Sequence, residues 1–171
     1  SGININTDNS DIGLFGRLGN GGTIKNVTLD NAQITAKSNI GGIVGKNYCG
    51  NITNCHVTST VLIHASSNNA EYHGGIVGMN TGVEGKYGTV SYCTSSAILD
   101  GSFSNCKRYG AIAGANDSYG KLSYNFAIGA TVPQTVYYGA IIGENSGALD
   151  HNYYSGCKII GSSSVTSSGV G

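Results

Sequence analysis

Apolar residues recur along the chain in short runs of four or five, each set off by glycine and small polar residues. Five runs share one pattern: DIGLFGRL from Asp11, IGGIVGKN from Ile40, HGGIVGMN from His73, YGAIAGAN from Tyr109 and YGAIIGEN from Tyr138. Their last glycines, Gly16, Gly45, Gly78, Gly114 and Gly143, are 29, 33, 36 and 29 residues apart. A period of 20–50 residues marks a repeat architecture. Leu14, Ile43, Ile76, Ile112 and Ile141 stand two residues before the glycine, and Leu18, Asn47, Asn80, Asn116 and Asn145 two residues after it. Side chains alternate along a strand, so both columns share a face. The aliphatic column is predicted to be core and the four asparagines an amide ladder at a corner.

A second stretch follows in each repeat: TIKNVTL from Thr23, NITNCHV from Asn51, TVSYCTS from Thr89, KLSYNFA from Lys121 and ALDHNYY from Ala148. It aligns Ile24, Ile52, Val90, Leu122 and Leu149, and separately Val27, Cys55, Cys93, Asn125 and Asn152. A third, weaker segment carries Ile34, Val61, Ile98 and Val132. Three strands per repeat predict a roughly triangular coil. One coil cannot bury its own apolar side chains, whereas neighbours stacked about 4.8 Å above and below supply paired hydrogen bonds and a continuous core. The predicted fold is an all-β, single-domain parallel β-solenoid of about five coils, right-handed by the general chirality of parallel crossovers. Residues 1–10 read as a polar lead-in, 11–160 as the solenoid and 161–171 as a Gly/Ser-rich tail or cap.

The repeated GGIVGxN followed by I-x-N-C resembles the GLUG motif, and GLFGRLGNGGTIKNVTLDNA is similar to the first repeat of such arrays. The likeness runs over about residues 11 to 160. It departs from the pattern where Ala111 and Ala140 replace the second glycine, and where Asn125 and Asn152 replace cysteine. The resemblance implies a secreted or surface-attached bacterial protein, adhesin-like and outside any catalytic domain.

Composition agrees with a β architecture. Only 11% of the 171 residues are charged, with 28 glycines, one proline and no tryptophan, and glycine and asparagine suit turns with positive φ. Nine basic and nine acidic residues cancel, which leaves no field to draw the chain to nucleic acid. There is no run of 18 apolar residues to span a membrane, and without an initiating Met the chain reads as a mature form or an excised segment.

The chemistry-bearing residues are scattered. Five cysteines lack a C-x-x-C pair, and Cys55 and Cys93 are predicted to stack as a thiol ladder in preference to a disulfide. Asp117 and Glu144, near equivalent corners of adjacent coils, are the nearest approach to a glycosidase acid pair; an ordinary reading makes them solvated turn acids. The four histidines occupy unrelated columns, so no metal site and no cofactor are expected. Thr7 to Asp11 is a weak calcium candidate, better read as a polar loop. The sequons at Asn26, Asn51 and Asn116 read as turn and ladder residues. The column Asp11, Ile40, His73, Tyr109 and Tyr138 places His73, Tyr109 and Tyr138 on successive coils; with Tyr137 they are the expected binding strip, for a host glycan or a surface protein. The alternative is that these rings cap the core edge. Phe15, Val44, Val77, Ala113 and Ile142 form an apolar column that strict alternation points outward, to be covered by the chain's longer loops or a lateral partner; a bend at the flanking glycines would instead turn it inward. Extra length at Ser66 to Tyr72, Val83 to Tyr87 and Gly101 to Arg108 marks the middle coils as the expected recognition region. The functional expectation is a non-catalytic binding or stalk module outside the cell. The alternatives are a spacer that self-associates end to end and, third, a polysaccharide-acting enzyme.

Overall fold

The structure, a computed structural model, describes residues 2–160. It is a parallel β-solenoid: every ladder between named strands is parallel, and each coil lays its strands on the same five sheets. In the second coil the strands are Ser38–Gly41, Val44–Tyr48, Asn51–Thr53, His56–Val57 and Val61–Ala65, taken below as sheets one to five. Sheets one to four have five strands, and sheet five has six because Ile3–Asn6, within the expected lead-in, pairs with Ala32–Ala36. The predicted tail, 161–171, lies outside the described residues.

The coil is therefore five-sided, where the sequence predicted a triangle. Two features split the longer predicted strands. At Gly42 and Ile43 the chain bends between sheets one and two. At Asn54 it passes through φ 51°, and Asn26, Tyr92, Tyr124 and His151 repeat this left-handed conformation in the other coils (φ 48–59°). Each such residue turns the strand and restarts the alternation, so Ile52 and Cys55 both face inward.

The bend also settles the second apolar column. Val44, Val77, Ala113 and Ile142 are buried together with Ile43, Ile76, Ile112 and Ile141, so no outward stripe exists for loops to cover. Phe15, in the first coil, is the exposed member at 42%. Two registers also differ from expectation. Ile12, not Asp11, pairs with Ile40, because the first coil has one residue fewer before its bend. Ile34 pairs with Ile63, which pairs with Leu99; Val61 sits opposite Ala32 and Ile98 opposite Thr131.

The anchoring glycines are needed for close backbone approach. A methyl on Gly78 would lie 2.5 Å from the carbonyl carbon of Asn39 and 2.6 Å from the oxygen of Gly45, in the coil before it. Gly45, Gly114 and Gly143 meet the backbone at Asp11, Tyr72 and Arg108 in the same way. Those residues, with Asn39, all have φ between 50° and 66°, so each left-handed bulge nests against the glycine of the next coil.

Two internal ladders tie the coils. Asn47 Nδ2 donates to Asn80 Oδ1 at 2.8 Å, Asn80 Nδ2 to Asn116 Oδ1 at 2.8 Å and Asn116 Nδ2 to Asn145 Oδ1 at 2.9 Å, as the sequence columns predict. The same amides satisfy the carbonyls of Gly50, Gly88 and Gly120. Asn116, one of the sequons, is buried in this row. In the second ladder the backbone N–H of Cys93 donates to Asn125 Oδ1 and that of Asn125 to Asn152 Oδ1, while Cys55 N–H reaches Cys93 Sγ at 3.5 Å. Asparagine thus takes the acceptor place that cysteine holds one coil earlier. All five cysteines are thiols, and the hydrogen bond to Cys55, with burial, keeps the Cys93 thiol protonated.

Because backbone and not a movable side chain opposes the new methyl, Gly78→Ala is expected to cost about 2–3 kcal/mol. Gly19→Ala, which meets no atom within 4 Å, should change stability by less than about 0.5 kcal/mol. Urea unfolding of the two variants checks the difference; equal midpoints would contradict the nesting.

Candidate functional site: an aromatic corner

His73 and Tyr109, two members of the predicted binding strip, face the interior. Both are fully buried, and their rings stack at 4.1 Å with an interplanar angle of 15°. Tyr138, paired with Tyr109 on the next coil, is half-buried against the core. These three cap core space instead of forming a platform. Position explains the first two: the left-handed Tyr72 and Arg108 precede His73 and Tyr109, so a ring placed there is turned into the solenoid. Tyr137, the fourth member, stands in the bulge column itself and is exposed. Its ring lies 5.1 Å from the Arg108 guanidinium, which also lies 5.0 Å from the Tyr72 ring. Arg108 donates to Glu71 at 2.7 Å and to Glu144, closing a staple across three coils. Cation–π contacts and charge-assisted hydrogen bonds saturate that arginine.

Asp117 and Glu144, the nearest approach to an acid pair, are likewise committed to structure. Glu144 holds Arg108, while Asp117 accepts from Thr81 Oγ1 and from the backbone N–H of Tyr119. They stand in different columns, since Glu144 pairs with Ala115. At the other histidines, Asp100 meets His64 Nδ1 at 2.6 Å, and His56 Nδ1 meets Thr94 Oγ1 at 2.7 Å.

The middle insertions stack on one another: Asn69 N–H donates to Ser104 O, and Ser104 N–H to Asn68 Oδ1. Beside them lies an open groove of ≈ 450 Å³, bordered by Phe103, Asn105, Gln134, Thr135 and Val136. The third insertion closes on itself through an antiparallel bridge, Val83 to Lys86.

The exposed aromatic array stands elsewhere, at the corner between sheets three and four. Tyr92 and Tyr124 stack at 5.1 Å with planes 4° apart, and Tyr124 and His151 at 5.1 Å with planes 7° apart. Tyr92 is 58% and Tyr124 44% exposed. Phe126 and Tyr153, on the adjoining side of sheet four, lie 6.0 Å apart and widen the array over the last two coils. Upstream the column continues as Asn54 donating to Asn26 at 2.8 Å, so the sequon Asn26 and its successor form the polar start of the same corner. The sequence held the signal: Tyr92, Tyr124 and His151 each precede a member of the inward Cys/Asn column. That they project outward follows from the left-handed backbone, which the alternation rule does not anticipate.

Residues 37–62 carry the GLUG motif. On the structure this stretch is one coil, from the sheet-one strand to the start of the sheet-five strand, and holds the bend at Gly42, the nested Gly45, the ladder residues Asn47 and Cys55 and the left-handed Asn54. The aromatic corner begins one coil beyond the matched GLUG residues, with Tyr92 in the place of Asn54. Over 78 residues the chain is 38% identical to Halomucin of Haloquadratum walsbyi (strain DSM 16790 / HBSQ001), covering 44% of this chain and 1% of that protein. That relative is archaeal, whereas the resemblance implied a bacterial setting. No solved structure matches.

His73 makes a pH prediction. Neither ring nitrogen has a hydrogen-bond partner, and burial holds its pKa down at about 3 against an ordinary 6.5. Between those values the unfolded chain binds a proton that the folded chain refuses, so stability present above pH 6.5 is lost as pH falls toward 3. By pH 4 this amounts to about 3 kcal/mol. His73→Leu, which fits an aliphatic column, should be at least as stable as the parent at pH 7 and should lose less stability on acidification; urea midpoints at both pH values measure it, and identical pH dependence would exclude His73 as the cause.

Proposed function

We propose that this chain is a non-catalytic, adhesin-like binding or stalk module of a secreted or cell-surface protein, and that its contact surface is the aromatic corner of Tyr92, Tyr124 and His151. The observation that carries the reading is the exposed ring stack itself. Large aromatic faces left in water on three successive coils offer apolar contact area with a polar handle, in a molecule whose other apolar columns are largely buried. The GLUG motif and the likeness to a protein named as a mucin support an extracellular setting. The non-catalytic part of the reading is supported by the engagement of Asp117, Glu144 and His64 in bonds that hold neighbouring coils together. No helix among the described residues is long and apolar enough to cross a membrane.

A second reading, a structural spacer, is favoured by the first coil, where Ile3 (40%) and Phe15 (42%) expose positions whose columns are buried farther along. A further coil or a second copy stacked there would bury them.

Tyr92→Ala/Tyr124→Ala is expected to weaken binding to a panel of glycans and extracellular proteins by about tenfold or more, measured by biolayer interferometry with the unaltered chain alongside. Binding that survives the double change would move the site to another face. An inert chain whose sedimentation shows concentration-dependent growth would establish the spacer.

A further inference from the structure

We infer that the aromatic corner takes a neutral, extended polysaccharide, laid parallel to the solenoid axis with about one sugar residue per coil. This rests on the binding reading above and adds the ligand's chemistry and direction.

The first argument is the repeat. Rings at Tyr92, Tyr124 and His151 recur every 5.1 Å in nearly parallel planes. That interval is close to the rise of a strand ladder, and an extended β-linked glycan advances by a closely similar length per residue. Tyr92 and Tyr124 are 58% and 44% exposed, so the row presents one accessible ring per coil. A pyranose offers a C–H face of similar size, and a chain of pyranoses repeats it in step.

The second argument is what flanks the row of rings. In sheet three the half-buried residues Thr53, Ser91 and Ser123 pair in register across coils two to four, and Ser91 Oγ donates to Thr53 Oγ1 at 3.2 Å. In sheet four His56 and Thr94 stand in register on the other side. Rows of hydroxyl and imidazole groups at the same interval as the rings match a ligand whose hydroxyls also recur at that interval.

The third argument is charge. At Asn54, Tyr92 and Tyr124 the corner and its flanking rows carry no carboxylate or ammonium group; at the third ring the flanking row ends in Asp150, whose carboxylate is held by His151, and Lys25 lies one coil before Asn54. Nearby Lys121 is held 3.5 Å over the Tyr87 ring. A polyanion would find no row of cations here, and a polycation no row of acids.

The test is isothermal titration with neutral β-linked gluco-oligosaccharides, from disaccharide to hexasaccharide, beside an acidic uronic-acid series of the same lengths. Neutral affinity is expected to rise with length and level off at about three to four sugars, the span of the ladder, while the acidic series binds at least tenfold more weakly. Tyr124→Ala, the central ring, should reduce hexasaccharide affinity about tenfold; Tyr124→Phe should retain it within about threefold; Tyr119→Ala, on another loop, should not change it. Unfolding midpoints confirm that each variant is folded. Binding of the acidic series, of proteins alone, or of neutral sugars without dependence on length or Tyr124 would overturn this inference and leave the binding reading in place. A chain that binds nothing on the wider panel removes both.

Discussion

One coil of this protein rests on the next through a backbone-to-backbone contact that tolerates no side chain. The bulges at Asp11, Asn39, Tyr72 and Arg108 press into Gly45, Gly78, Gly114 and Gly143. Each left-handed residue costs on the order of 1 kcal/mol if it is not glycine, and the stack retains it because the bulge restarts the alternation and sends the following residue inward. The column Ile12, Ile40, His73 and Tyr109 follows from that step, and the buried pair of columns from the bend after it. With two adjacent residues facing in at the bend, the core receives more apolar area per coil than a plain strand would deliver.

The glycine carbonyls at the amide-ladder corner take a second donor from the asparagine row: Gly50 O accepts from the Thr89 N–H of the next coil and from Asn47 Nδ2. Each amide donates both to the next amide and to the glycine carbonyl three or more residues along its own coil. A buried polar row is tolerable only when its members are satisfied, and this row is, down to Asn145, whose Nδ2 turns to Gly147 O. The Cys/Asn column works by the same rule with a weaker acceptor: what the position needs is an acceptor for a backbone N–H, and sulfur or an amide oxygen each provides one.

Much of this was legible in the sequence, because a solenoid writes its contacts as columns. Ile24 over Ile52 over Val90, the Asn47 ladder and the coil spacing all follow from aligning five segments. What alignment could not supply was handedness of individual residues in φ. Positive φ at Asn54 and its counterparts divides one predicted strand into two, and together with the bend at Gly42 and Ile43, which divides another, makes a triangle a pentagon. The same property reversed the reading of the rings: Tyr109 and His73 follow a left-handed residue and enter the core, whereas Tyr92 and Tyr124 are themselves left-handed and stand in water. A bulky residue in that conformation is uncommon, so propensity argued against reading a tyrosine there as a turn. The Ile34 column was misjudged by two residues at Val61 and by one at Ile98 because its neighbours, Ala32 and Leu99, are also apolar and period alone does not choose between them.

The left-handed corner separates two jobs that most surface positions share. Asn26, Asn54, Tyr92, Tyr124 and His151 adopt nearly the same backbone with short amides, phenols and an imidazole, so the turn is set by the chain around it and hardly by its occupant. Such a slot can be rewritten letter by letter while the scaffold beneath stays unchanged. A lineage built on these coils can therefore change what it touches at the pace of single substitutions, without first having to relearn how to fold.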